Sequence, residues 1–457
     1  MKLGKKIAVV ILSVLPAIVI FFAVQRLVEP KYADDILEGN FTAEYYEETT
    51  DHDVIMIGDC EVYENFDPMY LWKNYGITSY IRGNAQQLAW QSYYMLEDTL
   101  RHEKPQVVIY NVQELTYGKP QREEYNRMTL DKMKWSGTKV EAIKASMCKG
   151  ENFIDYVFPI LRYHSRITEL SKNDFKYFAD ARKVTHNGYY MRIDVLPVSE
   201  SDVADPQWLL GEQDYQIEED EEAAYDPWDD IDEEGSASRD EETDADESND
   251  PWDDIDEEMD DAEEAYDPWD DIEEEMDDVE EAYDPWDDVE EDNDSESEVD
   301  ETKVTGNQGS NDGGVVFGDM PMKYLEKMRT LCEKNDIQFI LIKAPSLAPR
   351  WFDTEDAQVV EYAEENHLPY INYYDLLEET GIDYETDTYD GGLHMNLSGA
   401  EKLSKHLGSV LTNEYGVKDH RGDSELKKVY DEKYRFYEDM KKRQQEELDK
   451  YGEIRSY

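Results

Sequence analysis

Ninety-one consecutive residues in the middle of this chain, 211–301, cannot supply a hydrophobic core, and this decides where a fold can be built. The block holds 50 of the 111 acidic residues but one of the 45 basic ones, Arg239. It repeats a short unit, Tyr225-Asp226-Pro227-Trp228-Asp229-Asp230-Ile231, echoed at 250–255, 266–272 and 283–289, with Trp252, Trp269 and Trp286 seventeen residues apart. Packed repeats need an apolar face to bury, and each unit offers little beyond a tryptophan and one or two aliphatic side chains. Low hydrophobicity with dense like charge does not offset the entropy of ordering. Residues 211–314 are therefore expected to be disordered, a solvated spacer. Weak calcium binding by carboxylate clusters and short tryptophan motifs that dock a partner are the alternatives, although no EF-hand loop is present. The formal charge of −66 is mostly local: without the block the chain carries −17, an ordinary acidic balance. Phosphate binding needs clustered Lys and Arg, so nucleic acid is not an expected partner.

The fold must then come from the flanks. Lys2, Lys5 and Lys6 precede an uncharged run at 7–24, within the ~17–25 residues that cross a bilayer as a helix. Residues 1–28 read as a single-pass anchor, with the N-terminus cytoplasmic and the bulk extracellular, at the cell membrane. The competing signal peptide lacks a small-x-small cleavage site at 21–25. Residues 29–50 form a polar spacer. The three cysteines, Cys60, Cys148 and Cys332, allow at most one disulfide, so the core and not covalent staples must hold the domain.

Short apolar runs at 54–57, 79–81, 107–110, 339–342 and 370–372 read as strands, and helical patterns lie between them. Strands joined by helical crossovers predict an α/β fold with a three-layer, flavodoxin-like parallel sheet. Its first part is 51–118 and its second 315–415, with a helical cap inserted at 119–200 and the acidic block beyond it. Within 119–200, residues 122–133, 139–147 and 153–170 look helical. Arg127, His164 and Arg166 lie there; they read either as helix surface with aromatic stems packed inward or as a grip on an anionic or sugar-like ligand. Residues 424–450 read as a charged helix with a Tyr-rich stripe, a docking or self-association arm.

The first strand empties into Gly58-Asp59-Cys60-Glu61, and far downstream stands Asp390-Gly391-Gly392-Leu393-His394-Met395-Asn396, opening a helix. These blocks resemble the SGNH/GDSL hydrolase superfamily, in which a Gly-Asp-Ser turn follows the first strand and Asp-x-x-His precedes the last helix. Cysteine stands here in place of serine, and Asp390 lies four residues before His394 instead of three. The resemblance implies Cys60 as nucleophile, His394 as base and Asp390 as its orienting carboxylate. It implies an oxyanion hole from Cys60, Gly83 and Asn111. Read from the residues themselves, Arg127, His164, Arg166 and Asn396 are candidate substrate contacts, and neither metal nor cofactor is expected. Bottom-up, the set is coherent: a nucleophile needs a base in reach, the base an orienting group, and the acyl intermediate donors for its oxyanion.

Membrane-anchored members of this superfamily are similar in their single anchor, degenerate blocks and inserted cap; among them are the D-alanyl transfer protein of the teichoic-acid system and the alginate O-acetylation proteins. This likeness implies an extracytoplasmic acyltransferase or esterase acting on an acylated cell-envelope polysaccharide or polymer. It also implies a multi-pass membrane O-acyltransferase as partner. Two other classes are open: a non-catalytic SGNH-fold binding partner of such an acyltransferase, and a structural surface protein whose function lies in the acidic repeats.

Overall fold

Five apolar runs bounded by turn residues become one parallel sheet in the computed structural model of the chain. The strands are β1 (Val54–Gly58), β2 (Ser79–Gly83), β3 (Val107–Asn111), β4 (Gln338–Lys343) and β5 (Tyr370–Asn372). They lie in the order β2-β1-β3-β4-β5, and every neighbouring pair is parallel. The structure describes residues 2–32, 36–120, 122–179, 181–198, 308–309 and 314–455, with side chains from residue 14 onward except at 308–309. The acidic repeats lie outside the described residues, and with them the expectations of disorder, calcium binding and partner docking.

Among the described residues, the helices of eight residues or more are α1 (Lys2–Val28), α2 (Pro68–Tyr75), α3 (Ala89–Thr99), α4 (Glu123–Leu130), α5 (Gly137–Ser146), α6 (Asp319–Lys334), α7 (Asp353–Glu365), α8 (Leu397–Asn413) and α9 (Ser424–Tyr451). Strand alternation sends Val54, Met56, Ile109 and Ile340 to one face, where α2, α8 and α9 bury Leu71, Leu403, Leu407 and Tyr430. It sends Ile55, Ile57, Val108 and Leu341 to the other, beneath Trp90, Ile143, Met328 and Val359 from α3, α5, α6 and α7. Both faces of the sheet are covered, which is why its strands are apolar runs and not alternating ones.

Local chemistry sets several boundaries. Asp67 caps α2, its Oδ1 accepting from the Met69 and Tyr70 amides at 2.7 and 3.1 Å, with Pro68 at the first helical position. The other oxygen of Asp67 accepts from the Tyr437 hydroxyl at 2.7 Å, and Tyr430 stacks on Trp72 at 4.2 Å. Helix α9 is thereby docked on its own domain. The helix expected at 153–170 is broken into Phe153–Val157, Ile160–Tyr163 and His164–Thr168. Pro159 stands at the break, where its missing N–H and its ring interrupt the hydrogen-bond ladder. The open side of β2 is met by the turn His186–Tyr189. There the Ile81 amide donates to Asn187 O at 2.9 Å, and Asn187 Nδ2 donates to Ser79 O at 2.9 Å. Gly188 makes that approach possible: its φ is +83°, and a Cβ there would lie 2.0 Å from Ile81 O.

The N-terminus requires a correction. Among the described residues no helix is long and apolar enough to cross a membrane, so the single-pass anchor and the orientation and cell-membrane location drawn from it do not stand. The last turn of α1 belongs to the protein's own packing. Val28 is fully buried, its carbonyl accepts from Arg166 Nη1 at 2.5 Å, and Arg26 Nε donates to Phe178 O at 2.9 Å.

Candidate active site

At the carboxyl end of β1 the chain turns through Asp59, which caps the short helix Cys60–Tyr63 by accepting from the Glu61 amide at 3.1 Å. Cys60 is half-buried at the first position of that helix, so its own N–H lies outside the intrahelical ladder. All three cysteines are free thiols.

The loop ahead of α8 arrives at the same edge of the sheet. Thr388 closes it, its hydroxyl accepting from the Gly392 amide at 2.7 Å and donating to His394 O at 2.9 Å. The Met395 amide donates to Asn65 Oδ1 at 2.7 Å, which ties the loop to the segment after Cys60. His394 is thus placed near enough to Cys60 for the two to interact electrostatically. His394 Nδ1 meets Asp390 Oδ2 at 2.6 Å, and the His394 amide donates to Asp390 Oδ1 at 2.8 Å. Nδ1 is therefore committed to Asp390, and Nε2 is the nitrogen left for the thiol. The four-residue spacing still reaches because Gly391 and Gly392, with φ of 77° and 92°, fold the intervening chain back on itself.

A second carboxylate, Glu64, lies 3.8 Å from His394 Nδ1 and accepts from the Tyr389 hydroxyl. Tyr389 stacks near the His394 ring at 6.2 Å. Burial by itself lowers the His394 pKa, but Glu64, Cys60 and Asp390 overturn that and hold it well above the ordinary imidazole value. Burial pushes the Cys60 thiol up to about 12, against the pull of His394.

Behind Cys60 lies a buried charged network. Lys343 Nζ donates to both oxygens of Glu61 at 2.8 and 2.7 Å and to Ala344 O at 2.8 Å. Asn111 Nδ2 donates to Asp59 Oδ1 at 3.2 Å and to Glu61 Oε2 at 3.0 Å. Both amide hydrogens of Asn111 are thus directed at carboxylates. Gly83 closes β2 against the turn, and a Cβ there would lie 2.6 Å from Gly58 O.

No family model, curated protein or solved structure matches this chain.

The structure thus brings Cys60, His394, Asp390, Gly83 and Asn111 to one edge of the sheet. Asn396 adjoins them as the cap of α8, its Oδ1 accepting from the Ser398 and Gly399 amides and its Nδ2 donating to Asp194 O and Thr386 O. Arg127 and Arg166 make contacts elsewhere. Arg127 pairs with Glu123 and Asp131 and lies over the Tyr156 ring at 4.1 Å, while Arg166 joins Val28 O to Asp174. His164 is exposed, with Nδ1 facing Leu161 O. These three belong to the helical layer that receives α1. Among the described residues no group of three or more His, Cys, Asp or Glu is placed to hold a metal ion. Glu64 was not singled out from the sequence, although its spacing of four from Cys60 puts the two on one helical face.

Buried carboxyls set the expected pH dependence of stability. Burial, with Glu61 adding to it at Asp59, raises Glu44, Asp59 and Glu64 to about 7 and Asp67 to about 6. Each folded pKa exceeds its unfolded value, so the native state holds more protons. The resulting stability is full below the unfolded pKa and is lost as pH rises through the folded one. His186, lowered to about 3 by burial, acts oppositely but only below its unfolded value of 6.5. Thermal unfolding is expected at a higher Tm at pH 5 than at pH 8, and a calorimetric series rising with pH would contradict this balance.

Proposed function

We propose that this chain is an acyl-transferring ester hydrolase of SGNH/GDSL type that carries the acyl group on Cys60. The observation that supports it most directly is the His394 ring set between Cys60 and Asp390, with Nδ1 2.6 Å from the carboxylate. His394 Nε2 takes the thiol proton as Sγ attacks the ester carbonyl carbon. The carbonyl electrons move to oxygen and return as the ester C–O bond breaks, and the alcohol leaves with the proton from Nε2. A water or acceptor hydroxyl then gives its proton to Nε2, attacks the thioester carbon and releases Cys60, which recovers its proton. The Cys60 N–H is the donor best placed for the oxyanion, since the Asn111 amide already serves two carboxylates.

A non-catalytic binding role is the second reading, and one feature favours it: burial, with Asp59 and Glu64 adding to it, raises the Cys60 thiol well above its ordinary range. The two readings separate on treating the full chain with p-nitrophenyl acetate at pH 9 and reading intact mass. A stoichiometric adduct of one acetyl group on Cys60, lost in His394→Ala, is expected for acyl transfer. An unmodified Cys60 under those conditions would leave the binding role.

A further inference from the structure

A second concave site lies away from Cys60, in the layer where the end of α1 meets the domain. It is a cavity of about 310 Å³ whose lining includes Arg26, Lys31, Lys132 and Lys134 together with Tyr46 and Tyr177. A volume of that size suits a small organic ligand better than a lone ion. Two acids, Asp131 and Glu47, are the counter-charges among its described lining residues, so the described lining carries a formal +2. The concentration is local and runs against the acidic balance of the chain.

The cations are held in place by the fold. Lys31 is buried, and its Nζ donates to the carbonyls of Arg26 and Glu29, the latter at 2.7 Å. Lys132 Nζ donates to Pro30 O at 3.3 Å, and Lys134 Nζ sits 4.4 Å from the Tyr46 ring centre. Arg26 is paired with Glu29 at 2.7 Å. These bonds to carbonyls hold the ammonium groups in place, and Glu29 and Asp131 offset only part of their charge. Burial, then repulsion from Arg26 and Lys132, lowers Lys31 to about 7, and burial with repulsion from Arg26 lowers Lys132 to about 8. Like charges crowded in this way are relieved by an anion.

We infer that this cavity binds a small phosphorylated molecule, its phosphate against Lys31, Lys132 and Lys134 and its carbon skeleton beside Tyr46 and Tyr177. A phosphate monoester is opposite in sign to the four cations of the described lining, and lysine ammonium groups bind phosphate as point charges without the planar fork that suits a carboxylate.

The test is calorimetric titration of the full chain with glucose 6-phosphate as probe, with glucose and with sodium chloride at matched ionic strength as controls. Saturable binding of glucose 6-phosphate alone is expected. Lys134 is exposed, so Lys134→Gln should fold, and it is expected to weaken that binding by about tenfold. Absence of saturable binding, equal binding of glucose, or an affinity unchanged by Lys134→Gln would each overturn the inference. The readout is independent of any activity at Cys60.

Discussion

Cys60→Ala is expected to remove acyl turnover completely, and His394→Ala to lower it by about 10²–10⁴-fold, the range of a general base. The pH profile adds a sharper expectation. Glu64 and Asp390 keep His394 protonated beyond the ordinary imidazole range, and only the neutral ring can accept the thiol proton. Ester turnover should therefore rise with pH along a limb displaced to the alkaline side. Glu64→Gln removes one source of that displacement, so its limb should shift toward lower pH and its rate near neutrality should increase. Steady-state rates on p-nitrophenyl acetate across pH 6–10 check all three variants. A limb that stays in place in Glu64→Gln would mean that Glu64 does not tune the base.

Lys343→Met is expected to destabilise the protein by about 3–5 kcal/mol, because it leaves the Glu61 carboxylate buried without its cation. Lys343 and Glu61 are both fully or almost fully buried, so solvent cannot take over the missing role. The companion test is the double variant Glu61→Gln/Lys343→Met, which removes the stranded charge and should recover most of the loss. Urea unfolding measures both. A single variant within 1 kcal/mol of the parent would show that the network is already relaxed around Glu61, for instance by its protonation. Because Glu61 follows Cys60 directly, the single variant should also lower acyl turnover more than the double one.

The sheet could be read in advance because its information is local. Runs such as Val54–Ile57 are short, apolar and β-branched, and Asp67-Pro68 announces a helix start within two residues. The pairing of Cys60 with His394 was legible through motif order, although the residues are far apart in the chain. What escaped depends on which partner a side chain meets. Lys343 at a strand end looks like a solvated charge until Glu61 is packed against it. Arg127 stands between Glu123 and Asp131, each four residues away, a spacing that already favoured internal ion pairs over a ligand. Pro159, inside the stretch expected to be one helix, is the local signal that accounts for its break. At α1, composition suggested a span, whereas the burial of its last turn becomes evident only once the layer around Arg166 is assembled.

The gap between β3 and β4 has a consequence for how the protein is made. Asn111 ends β3 and Gln338 begins β4, so 226 residues are translated between two strands that must pair. At about 5–20 residues per second that is roughly 10–45 s. For this interval the nascent sheet has Val107–Asn111 as a bare rim, a row of unmet amide and carbonyl groups flanked by apolar side chains. Ribosome-bound chains stalled before residue 338 are therefore the species most exposed to wrongful strand pairing, and the ones a holdase would have most to protect.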